Sequence, residues 1–244
     1  MKQGFFTIAE NTPLTSTVYK MKLIGDVSDI TAPGQFINIK LDGLYLRRPI
    51  SVFDRDDESV TIIYKVVGHG TEQMSKLPIG EKLDVLTGLG NGYDTSLCKE
   101  HAVLLGGGVG VPPLYMLAKT LIAENKKVTV ILGFNTKEEI FCEDDFKALG
   151  ADVYVTTVDG SFGVKGFVTD ALPESYDHFF TCGPEPMLKA VYKTTNTSGQ
   201  FSFEERMGCG FGACMGCSCK TITGYKRICK DGPVLLKEEI LWED

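Results

Sequence analysis

Cys209-x4-Cys214-x2-Cys217, followed by a lone Cys229, restricts what this chain can be more than any other feature. Five of the eight cysteines, Cys219 included, fall between Cys209 and Cys229, while Cys98, Cys142 and Cys182 stand singly. Such clustering at one end of a 244-residue chain points to a metal site more than to a disulfide scaffold. The spacing is that of a plant-type [2Fe–2S] ligand set, in which four thiolates hold two irons. Gly208, Gly210, Gly212 and Gly216 let a tight loop wrap such a cluster and turn backbone N–H groups toward its sulfurs. A structural Zn(Cys)4 site is the competing reading, although zinc sites usually pair two Cys-x2-Cys knuckles and here there is one. Cys219, two residues past Cys217 in an extended segment, reads as a bystander on the opposite side. The isolated cysteines read as small core residues.

Ahead of that tail the pattern changes once. Up to residue 98, short β-like runs at 16–23, 35–41, 59–67 and 82–86 are separated by Gly, Pro and Asp, with one helical piece at 71–77. Regular short strands of this kind predict an antiparallel barrel. From His101 strands at 101–105, 128–133, 153–157 and 178–181 alternate with helices at 112–124, 143–149 and 185–194. Alternation of this kind predicts a parallel sheet flanked by helices. A polar stretch, Thr194 to Gly199, reads as a linker. The expected division is therefore 1–98, 99–195 and 196–244.

Charge and hydrophobicity mainly exclude. A formal net charge of −7, with no Lys/Arg run longer than two, offers no footprint for nucleic acid or an anionic membrane. Glycines 106–108 and 110 and Pro112-Pro113 interrupt the best apolar stretch before it reaches the roughly 20 residues of a membrane span. The first residues, Met1-Lys2-Gln3-Gly4-Phe5-Phe6, lack a long apolar core and a cleavage site, so the expected location is the cytoplasm.

Two loop types suggest phosphate binding. A strand ending in Gly106-Gly107-Gly108-Val109-Gly110, followed by Val111-Pro112-Pro113, allows a pyrophosphate to approach backbone N–H groups at a helix start. The third glycine of the dinucleotide fingerprint is missing, with Pro113 in its place, and no acidic residue ends the next strand. Arg47-Arg48 beside a strand, and Gly70-Thr71 at a helix start, could clamp a diphosphate, or could be a surface charge pair and a capping threonine.

In order along the chain, Arg48-Pro49-Ile50-Ser51, Gly70-Thr71, Gly107-Gly108-Val109-Gly110-Val111-Pro112, Cys182-Gly183-Pro184-Glu185-Pro186-Met187 and the cysteine tail resemble the ferredoxin reductase superfamily. The run from Met207 to Cys217 is similar to that of the iron–sulfur subunits of NAD-dependent class 1B dihydroorotate dehydrogenases. The resemblance implies a six-stranded antiparallel flavin-binding barrel, a parallel-sheet nucleotide-binding domain and a small C-terminal [2Fe–2S] domain. It further implies FAD against Arg48, Pro49, Ile50 and Ser51, with Arg48 at the pyrophosphate and Ser51 by the reactive edge of the isoalloxazine. Gly70 and Thr71 would hold the diphosphate from the helix side, and Ile63, Tyr64 and Lys65 would run along the adenosine half. Gly108 and Gly110 would face NAD, and Cys182, Gly183 and Pro184 would line the nicotinamide pocket. The cluster ligands would be Cys209, Cys214, Cys217 and Cys229.

The sequence departs from the superfamily where many members place a tyrosine between Arg and Ser; here it is Ile50. It departs again where Gly88-Leu89-Gly90 stands in place of Gly-Pro. As function, the resemblance implies an enzyme subunit of pyrimidine (UMP) biosynthesis. Its partner would be an FMN-containing catalytic subunit that oxidises dihydroorotate, two copies of each forming the complex, with electrons passing through [2Fe–2S] and FAD to NAD⁺. Cofactors then carry the chemistry and no general base is needed, so His69, His101 and His178 read as packing or surface residues. An NADPH-dependent ferredoxin or sulfide oxidoreductase subunit shares the same three modules and stays open, as does a non-catalytic Zn(Cys)4 binding module.

Overall fold

The computed structural model describes residues 1–242; residues 243 and 244, the end of the expected cluster domain, lie outside the described residues. Six strands, β1 (Lys2–Pro13), β2 (Val18–Ile24), β3 (Phe36–Ile39), β4 (Arg48–Arg55), β5 (Ser59–Lys65) and β6 (Lys82–Leu89), close an antiparallel barrel in the order β1-β2-β5-β4-β3-β6. Helix α1 (His69–Ser75) bridges β5 and β6. Strand β2 shows why the barrel forms: Tyr19, Met21 and Leu23 pack on the barrel core while Lys20 and Lys22 between them do not. One face of each such strand therefore lines the core. The sequence pattern marked four strands and missed two. Strand β1 carries Gly4, Glu10, Asn11 and Pro13 around Phe5 to Ile8, and β4 begins on Arg48-Pro49, so in both the β-favouring run is shorter than the strand. Helix α1 begins two residues earlier than the 71–77 expected, because the Thr71 hydroxyl accepts from the N–H groups of Val67 and Gly68 and closes the turn.

The remaining elements are β7 (His101–Gly107), α2 (Pro113–Ala123), β8 (Lys127–Phe134), α3 (Glu143–Ala148), β9 (Asp152–Thr157), β10 (Val164–Lys165), β11 (His178–Cys182), α4 (Glu185–Thr194), β12 (Gly199–Ser202), β13 (Ser218–Thr221), β14 (Gly224–Arg227), α5 (Ile228–Asp231) and β15 (Val234–Leu236). Seven of these strands form one sheet in the order β10-β9-β8-β7-β11-β12-β15, parallel except for β15. Strand β7 is buried almost throughout, as expected of a strand covered on both faces. Leu114, Leu117, Ala118 and Leu121 give α2 one buried stripe toward it.

This sheet corrects the boundary read at residue 196. Strand β12 pairs with β11 and carries the nucleotide sheet past the supposed linker, and β15 extends it from beyond the fourth cysteine. Thr194 to Gly199 is a tight passage from α4 into the sheet, fastened by the Lys237 ammonium on the Thr195 and Thr197 carbonyls. The part between these strands carries its own two-stranded sheet, with β13 and β14 paired in a hairpin. The barrel packs on the sheet domain through Phe53 and Tyr115, stacked at 4.2 Å, and through the Lys119–Asp54 ion pair at 3.0 Å. Among the described residues, no helix is long and apolar enough to cross a membrane.

Candidate functional site

The expected site residues fall into three groups, on the barrel, on the sheet and in the tail. On the barrel, Arg48 to Ser51 of β4 are all half-buried, whereas Val52 and Phe53 that follow are buried. Strand register sorts them: Ile50 packs against the barrel core, and Ser51 points the other way, opposite Phe36 of β3. Ile50 therefore does not share the face on which Ser51 lies. The two arginines separate as well. Arg47 is consumed by the barrel, donating to the Asp84 carbonyl at 3.0 Å and to its carboxylate at 2.9 Å. Arg48 lies over the start of α1, where a Cβ on Gly70 would overlap its guanidinium.

First-turn N–H groups have no acceptor inside their own helix, so Gly70 and Thr71 offer two backbone donors beside a guanidinium. That arrangement fits a diphosphate. Thr71 contributes its backbone alone, since its hydroxyl is engaged with Val67 and Gly68. Ile63 and Tyr64, expected along the adenosine, are buried, and the Tyr64 hydroxyl donates to Asn11 at 3.0 Å. Tyr64 faces the barrel core, and Ile63, on the opposite face of the strand, is buried against the sheet domain; of that trio only Lys65, at the strand end, is half-buried and not fully buried. A small cleft joins Lys65 and Thr17 to Gly108 and Val109, so the barrel end and the glycine turn share one opening.

On the sheet, successive connections leave β7 in opposite directions, to β8 on one side and later to β11 on the other. The crevice between the carboxyl ends of β7 and β11 is where open α/β sheets bind nucleotides. Both expected nucleotide loops are there. Cys182 lies opposite Gly106, and a Cβ on Gly110 would overlap the Cys182 carbonyl. Gly108, at φ +51° with open space where a Cβ would stand, leaves the turn uncovered for a ligand. Burial pushes the Cys182 thiol up to about 12, so it is neutral at physiological pH.

In the tail the cysteines form two pairs. Cys209 Sγ accepts from the Ala213 N–H at 3.2 Å and the Cys214 N–H at 3.4 Å, and also from the Cys214 thiol. Burial pushes the Cys209 thiol up, but the N–H groups of Phe211, Cys214 and Ala213 outweigh it and bring the thiol down to about 6. Cys217 Sγ accepts from the Cys229 N–H at 3.4 Å and from its thiol; burial first, then Cys217, push Cys229 up to about 12. Two thiol pairs match the two ligands that each iron of a [2Fe–2S] cluster takes, and the N–H groups aimed at sulfur suit such a cluster. Cys219, opposite Lys226 on β13, packs against the same apolar cluster as Cys217 and Cys229 and not on the opposite side expected of it, and Cys98 and Cys142 are buried in the core.

Asn91 was not legible as a site residue. It accepts from the Val234 N–H at 3.1 Å and donates to the Val234 carbonyl at 2.8 Å, fixing the segment just past Cys229 to the end of the barrel. The partners are 143 residues apart, so no local pattern could reveal the contact.

Residues 204–241 match a family described as the iron–sulfur cluster binding domain of dihydroorotate dehydrogenase B, and residues 104–193 match the oxidoreductase NAD-binding domain. A protein of Fusobacterium nucleatum named "Dihydroorotate dehydrogenase B (NAD(+)), electron transfer subunit" is 47% identical over 98% of this chain and 99% of its own length. One of the same name from a Geobacillus species is 43% identical over 99% of both. A solved structure described as an NADH-dependent reduced ferredoxin-NADP oxidoreductase superposes with a TM-score of 0.89, at 31% identity over 98% of this chain and 90% of that one.

Proposed function

The chain belongs to the family of electron-transfer subunits of NAD-dependent dihydroorotate dehydrogenase B, oxidoreductase subunits that work with FAD, a [2Fe–2S] cluster and NAD, and on that premise we propose a full electron route for it. A catalytic subunit containing FMN oxidises dihydroorotate to orotate in pyrimidine (UMP) biosynthesis in the cytoplasm, and its electrons reach NAD⁺ through this chain. Two copies of each subunit form the complex. When bound, the cluster takes electrons one at a time and the flavin exchanges a hydride with the nicotinamide.

This chain's residues bind and orient. Cys209 and Cys214 hold one iron, Cys217 and Cys229 the other. Arg48 and the backbone N–H groups of Gly70 and Thr71 hold the FAD diphosphate, Ser51 and Pro49 flank the ring, and Lys65 reaches the adenosine half. Ile50, Ile63 and Tyr64 support this surface from behind. The Gly108 to Gly110 turn receives the NAD pyrophosphate, and Cys182, Gly183 and Pro184 bound the space for the nicotinamide. Residues 1–98 serve as the flavin unit and 99–195 with β12 and β15 as the nucleotide unit. No proton donor or acceptor is required of His69, His101 or His178, since a hydride and single electrons are what move.

The carrying observation is the meeting of the glycine turn with Cys182 at the switch of the sheet, on the side of the barrel where Arg48 faces α1. The likeness to the ferredoxin-NADP oxidoreductase keeps one rival with the same three modules. Both are tested by purifying the chain with whatever flavoprotein it binds in its native cell. Recovery of a dihydroorotate-oxidising FMN subunit, with orotate formation coupled to NAD⁺ reduction, is expected. Recovery of a large cluster-rich subunit, with NADP⁺ as the better acceptor, would move the assignment to the rival.

A further inference from the structure

On β3, Ile37 and Ile39 point into the barrel core, so Phe36 and Asn38 point out of it. Their cross-strand partners on β4 are Ser51 and Pro49, and partners across a ladder share a face. Asn38 therefore lies on the same outer patch as Ser51, the residue assigned above to the flavin's reactive edge. It is 1% exposed. Its Nδ2 donates to the Cys209 carbonyl at 3.3 Å, which is the backbone of the first cluster ligand. Gly210, at φ +78°, lies flush against that nitrogen, and a Cβ there would overlap it. The amide is oriented by this contact, because only the nitrogen end can donate to a carbonyl. Its other end, Oδ1, is buried and has no hydrogen-bond partner among the described residues. A buried acceptor left unpaired has lost its water without replacement, so this amide oxygen marks the place where a donor belongs.

We propose that Asn38 is a positioning residue between the flavin and the cluster. Its nitrogen fixes the Cys209 backbone, and its oxygen accepts a hydrogen bond from the flavin, whose donors are the ring N3–H and the ribityl hydroxyls. One side chain then sets how far the cluster lies from the ring, which decides how fast a single electron crosses from reduced flavin to oxidised cluster. Asn38 touches no reacting atom of the nucleotide. The inference rests on the function proposed above.

The test follows NADH reduction of the complete protein anaerobically, reading flavin bleaching and cluster reduction as separate steps, with the cluster's spin-resonance signal and the flavin band positions as further readouts. Asn38→Leu, which removes both hydrogen bonds, is expected to slow cluster reduction about tenfold or more relative to flavin reduction and to shift the flavin bands. Gly210→Ala, which pushes the loop away and keeps the amide, is expected to slow cluster reduction with the flavin bands in place. If Asn38→Leu fails to assemble a cluster, its flavin bands still report the oxygen's bond and Gly210→Ala the nitrogen's. Wild-type rates and bands in both variants would overturn the role of Asn38 and leave the electron route intact. A wild-type protein whose cluster NADH does not reduce would instead overturn the route, and this inference with it.

Discussion

Cys217 and Cys229 are 2% and 1% exposed and belong to an apolar cluster with Phe36 and Leu89 of the barrel, whereas Cys209 is half-buried and Cys214 is exposed. One pair of ligands is thus part of the core that joins tail, barrel and sheet, and the other sits on a glycine-rich loop held by N–H bonds to sulfur. The difference separates two jobs that the four cysteines share. The inner pair is packed where it ties the tail to the barrel and sheet; on the function proposed above, the outer pair would leave one side of the cluster near the surface for exchange with a partner.

Substitution of the inner pair should show the largest effect. Cys229→Ala is expected to lose the cluster and also to destabilise the chain by about 1–2 kcal/mol through the cavity it leaves, seen as a lower melting temperature and absent iron. Cys214→Ala should lose or loosen the cluster with the melting temperature of the rest nearly kept. It should abolish electron exchange with the partner while NADH oxidation by artificial flavin acceptors continues. Equal destabilisation by the two would break the contrast between inner and outer pairs.

Outside the tail the same contrast, rigid against yielding, orders two glycines. Gly110→Ala sets a methyl group against the Cys182 backbone, which has no room to give, and NADH affinity should fall about tenfold or more, or roughly 1.4 kcal/mol, by titration. Gly70→Ala meets only the Arg48 side chain, which can swing aside, so FAD should bind a few-fold more weakly and no worse. A larger loss at Gly70 than at Gly110 would reverse the ranking.

The smallest effect is expected far from all cofactors, at Asp177. Burial pushes its carboxyl up, but the N–H groups of His101, Lys99 and Glu100, at 2.6, 2.8 and 2.8 Å, outweigh that and hold it at about 2. A carboxylate depressed below its unfolded value of about 3.9 adds stability that is complete above that pH and is lost as pH falls toward 2. Denaturant titrations of wild type and Asp177→Asn should therefore differ above about pH 5 and converge in acid, with cofactor content the same in both.

How much of this was legible in the sequence depends on the range over which each signal acts. Cysteine spacing, the glycine turn after β7 and the alternation of strands and helices are local, and they read through directly. Strands β1 and β4 were less legible because barrel pairing extends them beyond the β-favouring runs at Phe5 to Ile8 and Ile50 to Phe53. The boundary at residue 196 differs from the extent of the sheet because β12 pairs with β11 across a passage rich in Thr, Asn and Ser (Phe179 opposite Gly199), and β15 pairs with β12 from beyond the cysteine tail (Ser202 opposite Val234). Arg47 and Arg48 are indistinguishable as letters, and only the Asp84 contacts show which one the barrel keeps. Asn38 and Asn91 carry no local signature at all, since their partners lie in the tail.

The central claim is that NADH, flavin and cluster form one connected path within this chain. Its most direct test is the anaerobic visible spectrum of the purified protein before and after NADH, and separately after NADPH. Overlapping flavin and iron–sulfur bands that both bleach with NADH, and far less with NADPH, are the expected result. Flavin bands that bleach while the cluster stays oxidised, or a protein without either set of bands, would contradict the path.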